Sequence, residues 1–285
     1  MHLQALLVEA RQQLASALGM PGNEASLEAQ MLLRESLGGV SRAWLISHEE
    51  RALTTEQQER FDALIARRLQ GEPIAYMLGH REFYGLDLSV TPDVLIPRPD
   101  TETLVEAALR HIPQNQSCRI LDLGTGSGAI AIAIALQRPY ALVNAVDQSQ
   151  AAVDVAIANA MRLGATNLRV IQSDWCDALG GESFDVIVSN PPYIASADPH
   201  LTQGDLRFEP ISALASGTDG LDDIRRIIPQ ARHHLAPGGW LMFEHGYDQA
   251  DRVGKLMQAA NFDAVSHAAD LAGIQRVTMG RRRPD

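Results

Sequence analysis

The N-terminal quarter of the chain has the hydrophobic periodicity of helices. Apolar residues recur at three- and four-residue steps from Leu3 to Leu18, so they share one face of an amphipathic helix. A second run of this kind extends from Leu27 to Leu37. Thr54 followed by Gln57 is a capping-box pattern and predicts the start of a further helix. The pattern therefore predicts a small helical bundle over residues 1–75, and it contains no constellation of catalytic groups.

An alternating segment follows the bundle. Polar and apolar positions alternate from Glu82 to Val90, as in a half-buried strand. The turn residues Thr91-Pro92-Asp93 and the apolar run Val94-Leu95-Ile96 come next, so we expect the chain to turn there and return. Residues 76–100 are therefore interpreted as a β-hairpin that links two domains.

The segment Pro97-Arg98-Pro99 is a stiff loop, because each proline fixes its own φ. Arg98 either contacts a carboxylate or is a solvated linker arginine, and the sequence leaves both interpretations open. Thr101 is expected to cap the helix that begins the second domain.

Residues 101–285 alternate apolar, β-branched stretches with helical ones. This alternation predicts an α/β domain built on an open, mostly parallel sheet. We expect strands at 119–123, 142–146, 168–172, 184–188 and 240–243, with two more near 263–266 and 275–279.

The first of these strands runs into a glycine-rich turn and then into a helical run. The turn is Gly124-Thr125-Gly126-Ser127-Gly128. Its glycines let the backbone approach a ligand closely, and the following helix offers free N–H groups. The spacing differs from the G-x-G-x-x-G of dinucleotide-binding proteins, so the turn alone indicates a nucleotide-like ligand without specifying it.

Acidic residues follow the next two strands. Asp147 ends the second strand about 20 residues after Gly128, where an acidic side chain accepts hydrogen bonds from ribose hydroxyls; a helix cap is the alternative. Asp174-Trp175 follows the third strand and is expected to border an adenine ring, although a capping aspartate and a buried tryptophan would look the same. Both sites lie at the carboxyl edge of the sheet, where ligands bind in open α/β folds.

The fourth strand ends abruptly at Asn190-Pro191-Pro192-Tyr193. The two prolines fix the backbone, so the Asn190 carboxamide and the Pro191 carbonyl become two preset acceptors. A planar nitrogen with N–H donors can bridge them while the Tyr193 ring covers its face. Read alone, Asn-Pro-Pro is more often a simple strand terminator.

Composition narrows the function classes. The net charge is −11 over 285 residues, which disfavours nonspecific binding to nucleic acid or to anionic membranes. Cys118 and Cys176 are the two cysteines, with no zinc-type spacing, so we expect no metal and a reducing, cytoplasmic environment. No apolar run approaches the ~20 residues of a membrane span.

These motifs together resemble class I S-adenosylmethionine methyltransferases, and in particular the PrmC/HemK family. The resemblance covers nearly the whole chain and includes the segments 95–102, 122–128, 190–193 and 207–210. The glycine motif specifies the superfamily, and Asn-Pro-Pro-Tyr is shared with DNA adenine methyltransferases. The Pro-Arg-Pro loop combined with Asn-Pro-Pro-Tyr is more specific.

The resemblance implies a Rossmann-like, seven-stranded methyltransferase domain at residues 101–285 and a helical N-terminal domain. The absence of catalytic groups leaves two interpretations of the N-terminal domain open, a substrate-recognition domain and a packing scaffold. It implies methylation of a glutamine side-chain nitrogen in class I peptide-chain release factors, by a monomer with S-adenosyl-L-methionine as cofactor. Gly124 to Gly128, Asp147, Asp174, Trp175 and Asn190 would hold the cofactor. Asn190, Pro191, Pro192 and Tyr193 would bind the glutamine amide, with Asn190, Pro191 and Tyr193 as catalytic residues. For Glu209 two interpretations are open, a position near the substrate and a position on the surface, and the surface position is the favoured one.

Two alternatives remain at this point. An adenine-N6 nucleic-acid methyltransferase would use the same Asn-Pro-Pro-Tyr motif, but it ordinarily has a basic surface. A non-catalytic scaffold that binds S-adenosylmethionine would have no use for an amide-binding tetrapeptide.

Overall fold

The computed structural model describes residues 2–284 and divides the chain into two compact units. The first unit consists of Met1–Gly79 together with Thr202–Phe208. The second consists of His80–Leu201 and Glu209–Asp285.

The first unit is a helical bundle, as its periodicity predicts. The apolar faces of the helices meet in one core that includes Leu14, Leu32 and Phe61. The capping box at Thr54 and Gln57 is present, with both reciprocal hydrogen bonds formed. The helices are α1 (Leu3–Leu18), α2 (Gly22–Ser36), α3 (Arg42–Ser47), α4 (Thr55–Leu69) and α5 (Ile74–Leu78).

A buried arginine ties Thr202–Phe208 into the first unit. Arg68 is 5% exposed, and its Nε donates to Glu28 Oε2 at 2.8 Å while Nη1 donates to Asp205 Oδ1 at 3.0 Å. Arg207 donates to the carbonyl of Gln70. Because a buried guanidinium is costly without partners, these contacts hold a segment that is distant in sequence against the bundle.

The hairpin lies earlier in the chain than the sequence suggested. Strands β1 (His80–Phe83) and β2 (Leu86–Ser89) pair antiparallel, and the chain reverses at Tyr84-Gly85, where φ is 53° and 73°. A positive φ at both central residues suits the twist of a tight hairpin. A turn does form at Thr91, but residues 94–98 do not return as a strand. The predicted hairpin register was therefore wrong.

Within residues 2–284, the second unit contains a seven-stranded sheet in the order β5-β4-β3-β6-β7-β9-β8, which confirms the predicted fold class. The first five of these strands run parallel, and β9 is antiparallel to both neighbours. The strands are β3 (Arg119–Leu123), β4 (Leu142–Asp147), β5 (Leu168–Gln172), β6 (Phe184–Ser189), β7 (Leu235–Glu244), β8 (Phe262–Ala269) and β9 (Gln275–Arg282).

Helices cover both faces of this sheet, so its central strands are buried. The alternating Ala and Ile residues of α7 leave every side chain from Ala129 to Ala135 buried, and two core clusters lie on the two faces. The helices of this unit are α6 (Glu102–Leu109), α7 (Ala129–Gln137), α8 (Gln150–Leu163), α9 (Asp222–His234) and α10 (Ala250–Ala259).

The strand order places the candidate site. Strand β3 lies between β4 and β6, so the connections leave it in opposite directions and a crevice opens at the carboxyl ends of these strands. Ligands bind at this switch point in open α/β sheets. None of the helices in the described chain, residues 2–284, is both long and apolar enough to cross a membrane.

Candidate active site

A cavity of about 350 Å³ opens at the carboxyl edge of the sheet, a size typical of small-molecule sites. Its walls bring together seven of the predicted site residues: Gly124, Gly126, Asp147, Asp174, Trp175, Asn190 and Pro192. The other five are not among its lining residues: Thr125, Ser127, Gly128, Pro191 and Tyr193.

The glycine turn joins β3 to α7, and its glycines have different uses. At Gly126, where φ is 55°, a Cβ would point into open space, so the backbone is exposed to the cavity. At Gly124 a Cβ would lie 3.2 Å from the Trp175 ring. At Gly128 it would meet Ile132 at 2.9 Å and Ala156 at 3.2 Å. The first two glycines shape the cavity, whereas the third allows close helix packing.

Asp147, at the end of β4, is held by backbone donors. Its Oδ2 accepts from the Gly126 N–H and its Oδ1 from the Ser149 N–H, both at 2.9 Å. Burial raises the pKa of the Asp147 carboxyl, and these hydrogen bonds oppose the rise. The cap of α8 is Ser149, which accepts from the Ala152 N–H, so Asp147 is not the helix cap.

Asp174 and Trp175 also lie at the cavity, but with different surroundings. Asp174 is exposed, and Arg226 Nη2 donates to its Oδ2 at 2.9 Å. Trp175 is half-buried with a positive φ of 48°, which turns the backbone sharply after β5. Any ligand that donates a hydrogen bond to Asp174 shares this carboxylate with Arg226.

Asp122, on β3, is a buried carboxyl for which the sequence predicts no role. It is fully buried, its Oδ2 accepts from the Thr125 hydroxyl at 2.7 Å, and its Oδ1 has no hydrogen-bond partner within residues 2–284. Burial raises the pKa of Asp122 to about 7. Its position two residues before the glycine turn was the signal that could have identified it.

Asn190 follows the last residue of β6 and connects to Thr101. Its Nδ2 donates to Thr101 Oγ1 at 3.2 Å. Thr101 has helical φ and ψ and makes no side-chain cap, so the prediction that it caps α6 was wrong. Its buried hydroxyl contacts the predicted amide-binding asparagine instead.

The backbone of the Asn-Pro-Pro-Tyr loop is held at Tyr193 by a side-chain hydrogen bond and by close packing against a glycine. The Tyr193 carbonyl accepts from Gln249 Nε2 at 3.0 Å, and a Cβ on Gly220 would lie only 2.1 Å from that carbonyl oxygen. Burial raises the pKa of the Tyr193 phenol well above its usual value. The tyrosine side chain therefore stays neutral near pH 7.

Glu244, the last residue of β7, has a buried carboxyl group. It is 2% exposed, and its Oε2 has no hydrogen-bond partner in the described chain, residues 2–284. Burial raises the pKa of Glu244 to about 7, while hydrogen bonding to the Thr101 and Asn190 side chains favours the charged form. A carboxyl group of this kind changes its charge near neutral pH.

Arg98 and Glu209 form an ion pair. Of the two interpretations of Arg98, contact with a carboxylate is therefore the correct one, and a solvated linker arginine is not. The Glu209 side chain is fully buried and accepts from Arg98 and, at 3.1 Å, from the Ile96 N–H. The interpretation of Glu209 as a surface residue was therefore wrong. The local sequence does not indicate this burial, because Arg98 and Glu209 are 111 residues apart in the chain.

Within residues 2–284, no group of three or more His, Cys, Asp or Glu side chains is arranged to hold a metal ion. The polar side chains that line the cavity are three carboxylates, two carboxamides and three serine hydroxyls: Asp93, Asp147, Asp174, Gln148, Asn190, Ser149, Ser173 and Ser212. This set suits an organic ligand with hydroxyl and amino groups.

Comparisons with known proteins agree with the fold. Residues 5–79 match the family model described as the PrmC N-terminal domain, and residues 100–205 match the methyltransferase small domain. The crystal structure of a methyltransferase from Pyrococcus furiosus is similar in fold, with a TM-score of 0.54 at 19% identity, over 76% of this chain and 97% of that one. The fold is that of a class I methyltransferase.

Relatives of known activity are similar over most of their length. The release factor glutamine methyltransferase of Coxiella burnetii is 46% identical, over 96% of this chain and 98% of the relative. That of Escherichia coli K12 is 48% identical, over 89% and 91%. The chain belongs to the family of release factor glutamine methyltransferases, which confirms the resemblance seen in the motifs.

Proposed function

We propose that the protein transfers a methyl group from S-adenosyl-L-methionine to the side-chain amide nitrogen, N5, of a glutamine in class I peptide-chain release factors. The observation that carries this proposal is the Asn190 carboxamide at the cavity rim. Because its N–H group is engaged by Thr101, its oxygen remains to accept a hydrogen bond from the substrate amide.

The cavity fits the cofactor. The open space at Gly126 admits a ligand against the backbone, and the Asp147 carboxylate is positioned to accept from ribose hydroxyls. Asp174 and Trp175 border the adenine. When bound, S-adenosylmethionine supplies an electrophilic methyl group on a sulfonium.

The Asn-Pro-Pro-Tyr loop binds the glutamine. The Asn190 carboxamide oxygen and the Pro191 carbonyl accept from the two N–H groups of the substrate amide, and Tyr193 packs on its plane. An amide nitrogen is a poor nucleophile because its lone pair is delocalised, so orientation toward the methyl group is the main contribution to catalysis. The methylated amide loses its extra proton after transfer.

The proposed substrate also bears on where the protein acts, on its partners and on the roles of its domains. We propose a cytoplasmic monomer that acts without direct contact to nucleic acid or to a membrane. The residue boundaries 1–75, 76–100 and 101–285 are assigned to recognition, linkage and catalysis. A folded release factor is much larger than the cavity, so contacts elsewhere on the enzyme are needed to position the reacting glutamine.

The proposed activity is tested by mass spectrometry of an intact release factor and of a short glutamine peptide after incubation with isotopically labelled S-adenosylmethionine. We expect one labelled methyl group on the glutamine. Asn190→Ala should lower kcat by roughly 10²–10³-fold with nearly unchanged cofactor affinity. Label on adenine in nucleic acid, with an unlabelled release factor, would overturn the assignment.

The recognition role of the bundle is best tested in the full-length chain. Removing the bundle would deprive Asp205 of Arg68 and so disturb Thr202–Phe208. Three exposed apolar side chains on different helices, Val8, Leu27 and Ile46, are replaced together by serine. We expect kcat/KM to fall for intact release factor and to stay unchanged for the peptide, whereas Met161→Ser on α8 should alter neither.

A further inference from the structure

Gln249 joins the loop that follows β7 to the Asn-Pro-Pro-Tyr loop. It is 5% exposed. Its Nε2 donates to the Tyr193 carbonyl at 3.0 Å, and its Oε1 accepts from the Gly246 N–H at 2.8 Å. Gln249 directly precedes α10, but its side chain does not cap that helix. Both ends of one buried carboxamide are therefore used to connect two loops.

The Gly246 contact fixes which end of the Gln249 carboxamide meets Tyr193. A backbone N–H only donates, so the atom that faces Gly246 is the acceptor oxygen. A backbone carbonyl only accepts, so the atom that faces Tyr193 is the donor nitrogen. Rotation of the carboxamide by half a turn would place donor against donor and acceptor against acceptor. The carboxamide therefore has one favourable orientation.

The turn that contains Gly246 is itself held by a buried histidine. The Gly246 carbonyl accepts from the Gln249 N–H at 3.1 Å and lies 2.9 Å from His245 Nδ1. His245 is fully buried, and burial lowers its pKa, so the ring is neutral near pH 7. Because the carbonyl only accepts, Nδ1 carries the proton and Nε2 is left as an acceptor.

The hydrogen bonds continue from His245 into β8 and β9. Thr278 of β9 and His267 of β8 are opposite each other in register, and the buried Thr278 hydroxyl lies 2.8 Å from His245 Nε2 and 2.9 Å from His267 Nδ1. The single hydroxyl proton is donated to His245, so the Thr278 oxygen accepts from His267. The residues of this histidine chain are His267, Thr278, His245 and Gly246.

The Tyr193 carbonyl is closely packed beside Gln249. A Cβ on Gly220 would lie 2.1 Å from the carbonyl oxygen and 2.8 Å from Gln249 Nε2, so Gly220 contacts both groups. The next residue, Ile194, donates its N–H to the Leu214 carbonyl at 2.9 Å. A change at Gln249 therefore acts on the backbone at the end of the Asn-Pro-Pro-Tyr loop.

We propose that Gln249 is a positioning residue for methyl transfer, and that the histidine chain orients it. Its carboxamide holds the Tyr193 backbone where the ring covers the substrate amide. This inference rests on the proposed role of Tyr193. Gln249 is not among the residues that line the cavity, so it acts on the substrate through Tyr193.

The first test removes the donor to Tyr193 and keeps the shape of the side chain. Gln249→Glu still accepts from the Gly246 N–H, but its carboxylate places an acceptor against the Tyr193 carbonyl. At pH 8 we expect kcat on the glutamine peptide to fall at least tenfold, because a displacement of ~1 Å costs up to about 10²-fold. The peptide KM and the cofactor affinity should be nearly unchanged. Gln258→Glu, exposed on α10, is the matched control and should keep the wild-type kcat.

The pH profile separates positioning from a merely structural role. Burial raises the pKa of a carboxyl, and a protonated carboxylic acid donates one hydrogen bond. The ratio of the Gln249→Glu kcat to the wild-type kcat should therefore rise as the pH falls from about 8 to about 6. Thermal unfolding at each pH controls for stability. A folded Gln249→Glu enzyme with the wild-type kcat at pH 8, or with the same loss at both pH values, would overturn the proposal.

The second test interrupts the histidine chain away from Tyr193. Thr278→Val keeps the shape of the side chain and removes the hydroxyl between His245 and His267. We expect kcat to fall about fivefold, the equivalent of one neutral hydrogen bond. Thr278→Ser keeps the hydroxyl and should retain the wild-type kcat. A Thr278→Val enzyme with the wild-type kcat would show that the histidine chain does not orient Gln249.

These outcomes are separable from failure of the proposed function. A wild-type enzyme that transfers no methyl group to the glutamine peptide would overturn the proposed function. Crystal structures of the wild type and of Gln249→Glu at pH 8 test the positioning role without turnover. We expect the Tyr193 carbonyl to be displaced by ~1 Å in the variant. An unmoved carbonyl would overturn the positioning role.

Discussion

The Arg98 guanidinium pairs with the Glu209 carboxylate across 111 residues of sequence. The Glu209 side chain has no exposed surface, whereas the Arg98 side chain is 32% exposed. Glu209 also accepts from the Ile96 N–H, so one carboxylate holds both the backbone and the side chain of the Pro-Arg-Pro loop.

Because Glu209 is fully buried and Arg98 is partly exposed, removing either partner of the ion pair should lower the free energy of unfolding by a different amount. Arg98→Met leaves a buried carboxylate without its cation and should destabilise the fold by about 3 kcal/mol. Glu209→Gln keeps an acceptor for the Ile96 N–H and leaves a partly hydrated arginine, so it should cost about 1 kcal/mol. Urea unfolding measures both values. Equal losses would show that Arg98 does not compensate the buried charge.

The proposed contact between Asp147 and the ribose of the cofactor is tested by substitution. Asp147→Ala should weaken S-adenosylmethionine binding by roughly 1.5–3 kcal/mol, the range for hydrogen bonds to a charged group. Calorimetry measures the affinity directly. Asp154→Ala, an exposed aspartate on the following helix, is the control and should bind normally. Unchanged affinity in Asp147→Ala would contradict the ribose assignment.

Gly220 allows a steric test of the Asn-Pro-Pro-Tyr loop. A methyl group there would overlap the Tyr193 carbonyl oxygen, so Gly220→Ala must displace the loop or the glycine. We expect peptide methylation to fall at least tenfold while cofactor affinity is retained.

Gly180→Ala is the matched control for this substitution. Gly180 has a positive φ of 58°, close to the 74° of Gly220, but open space where the Cβ would lie. It should therefore share the backbone strain, of order 1 kcal/mol, without loss of activity. Equal activity of the two variants would rule out the steric explanation.

The buried carboxyls of Asp122 and Glu244 predict a pH dependence of stability. Burial raises the pKa of each to about 7 in the folded protein, above the usual value in an unfolded chain. The fold therefore binds these protons more tightly, and this contribution is present below pH ~4 and is lost as pH rises through about 7. Stability should fall between pH 5.5 and pH 8.

Variants isolate this effect from other titrating groups. Asp122→Asn should raise stability relative to wild type more at pH 8 than at pH 5.5, by on the order of 2 kcal/mol. Thermal unfolding at the two pH values measures the difference. Asp154→Asn should show none. The absence of any difference for Asp122→Asn would mean that its carboxyl is ionised in the fold at little cost.

Much of the architecture was determined by local sequence. Helical periodicity identified the bundle, the capping box began α4, and buried β-branched runs identified the strands, because these patterns depend on neighbours within a few residues. The glycine turn, Asp147, Asp174-Trp175 and Asn190 each follow a strand. Their meeting at one cavity follows from the rule that parallel strands end at a common edge.

Other features were decided by contacts between distant segments. Thr101 looked like a helix cap, and its hydroxyl was instead engaged by Asn190. The local sequence around Glu209 favours a surface position, but in the fold its side chain is buried and accepts hydrogen bonds from Arg98 and from the Ile96 N–H. Glu244 and Asp122 gave no local signal of a changed pKa, because that change comes from burial and from charges brought in by other strands. Periodicity records which face of an element is apolar, but the partner of a buried polar group is fixed only when the whole sheet and its loops assemble.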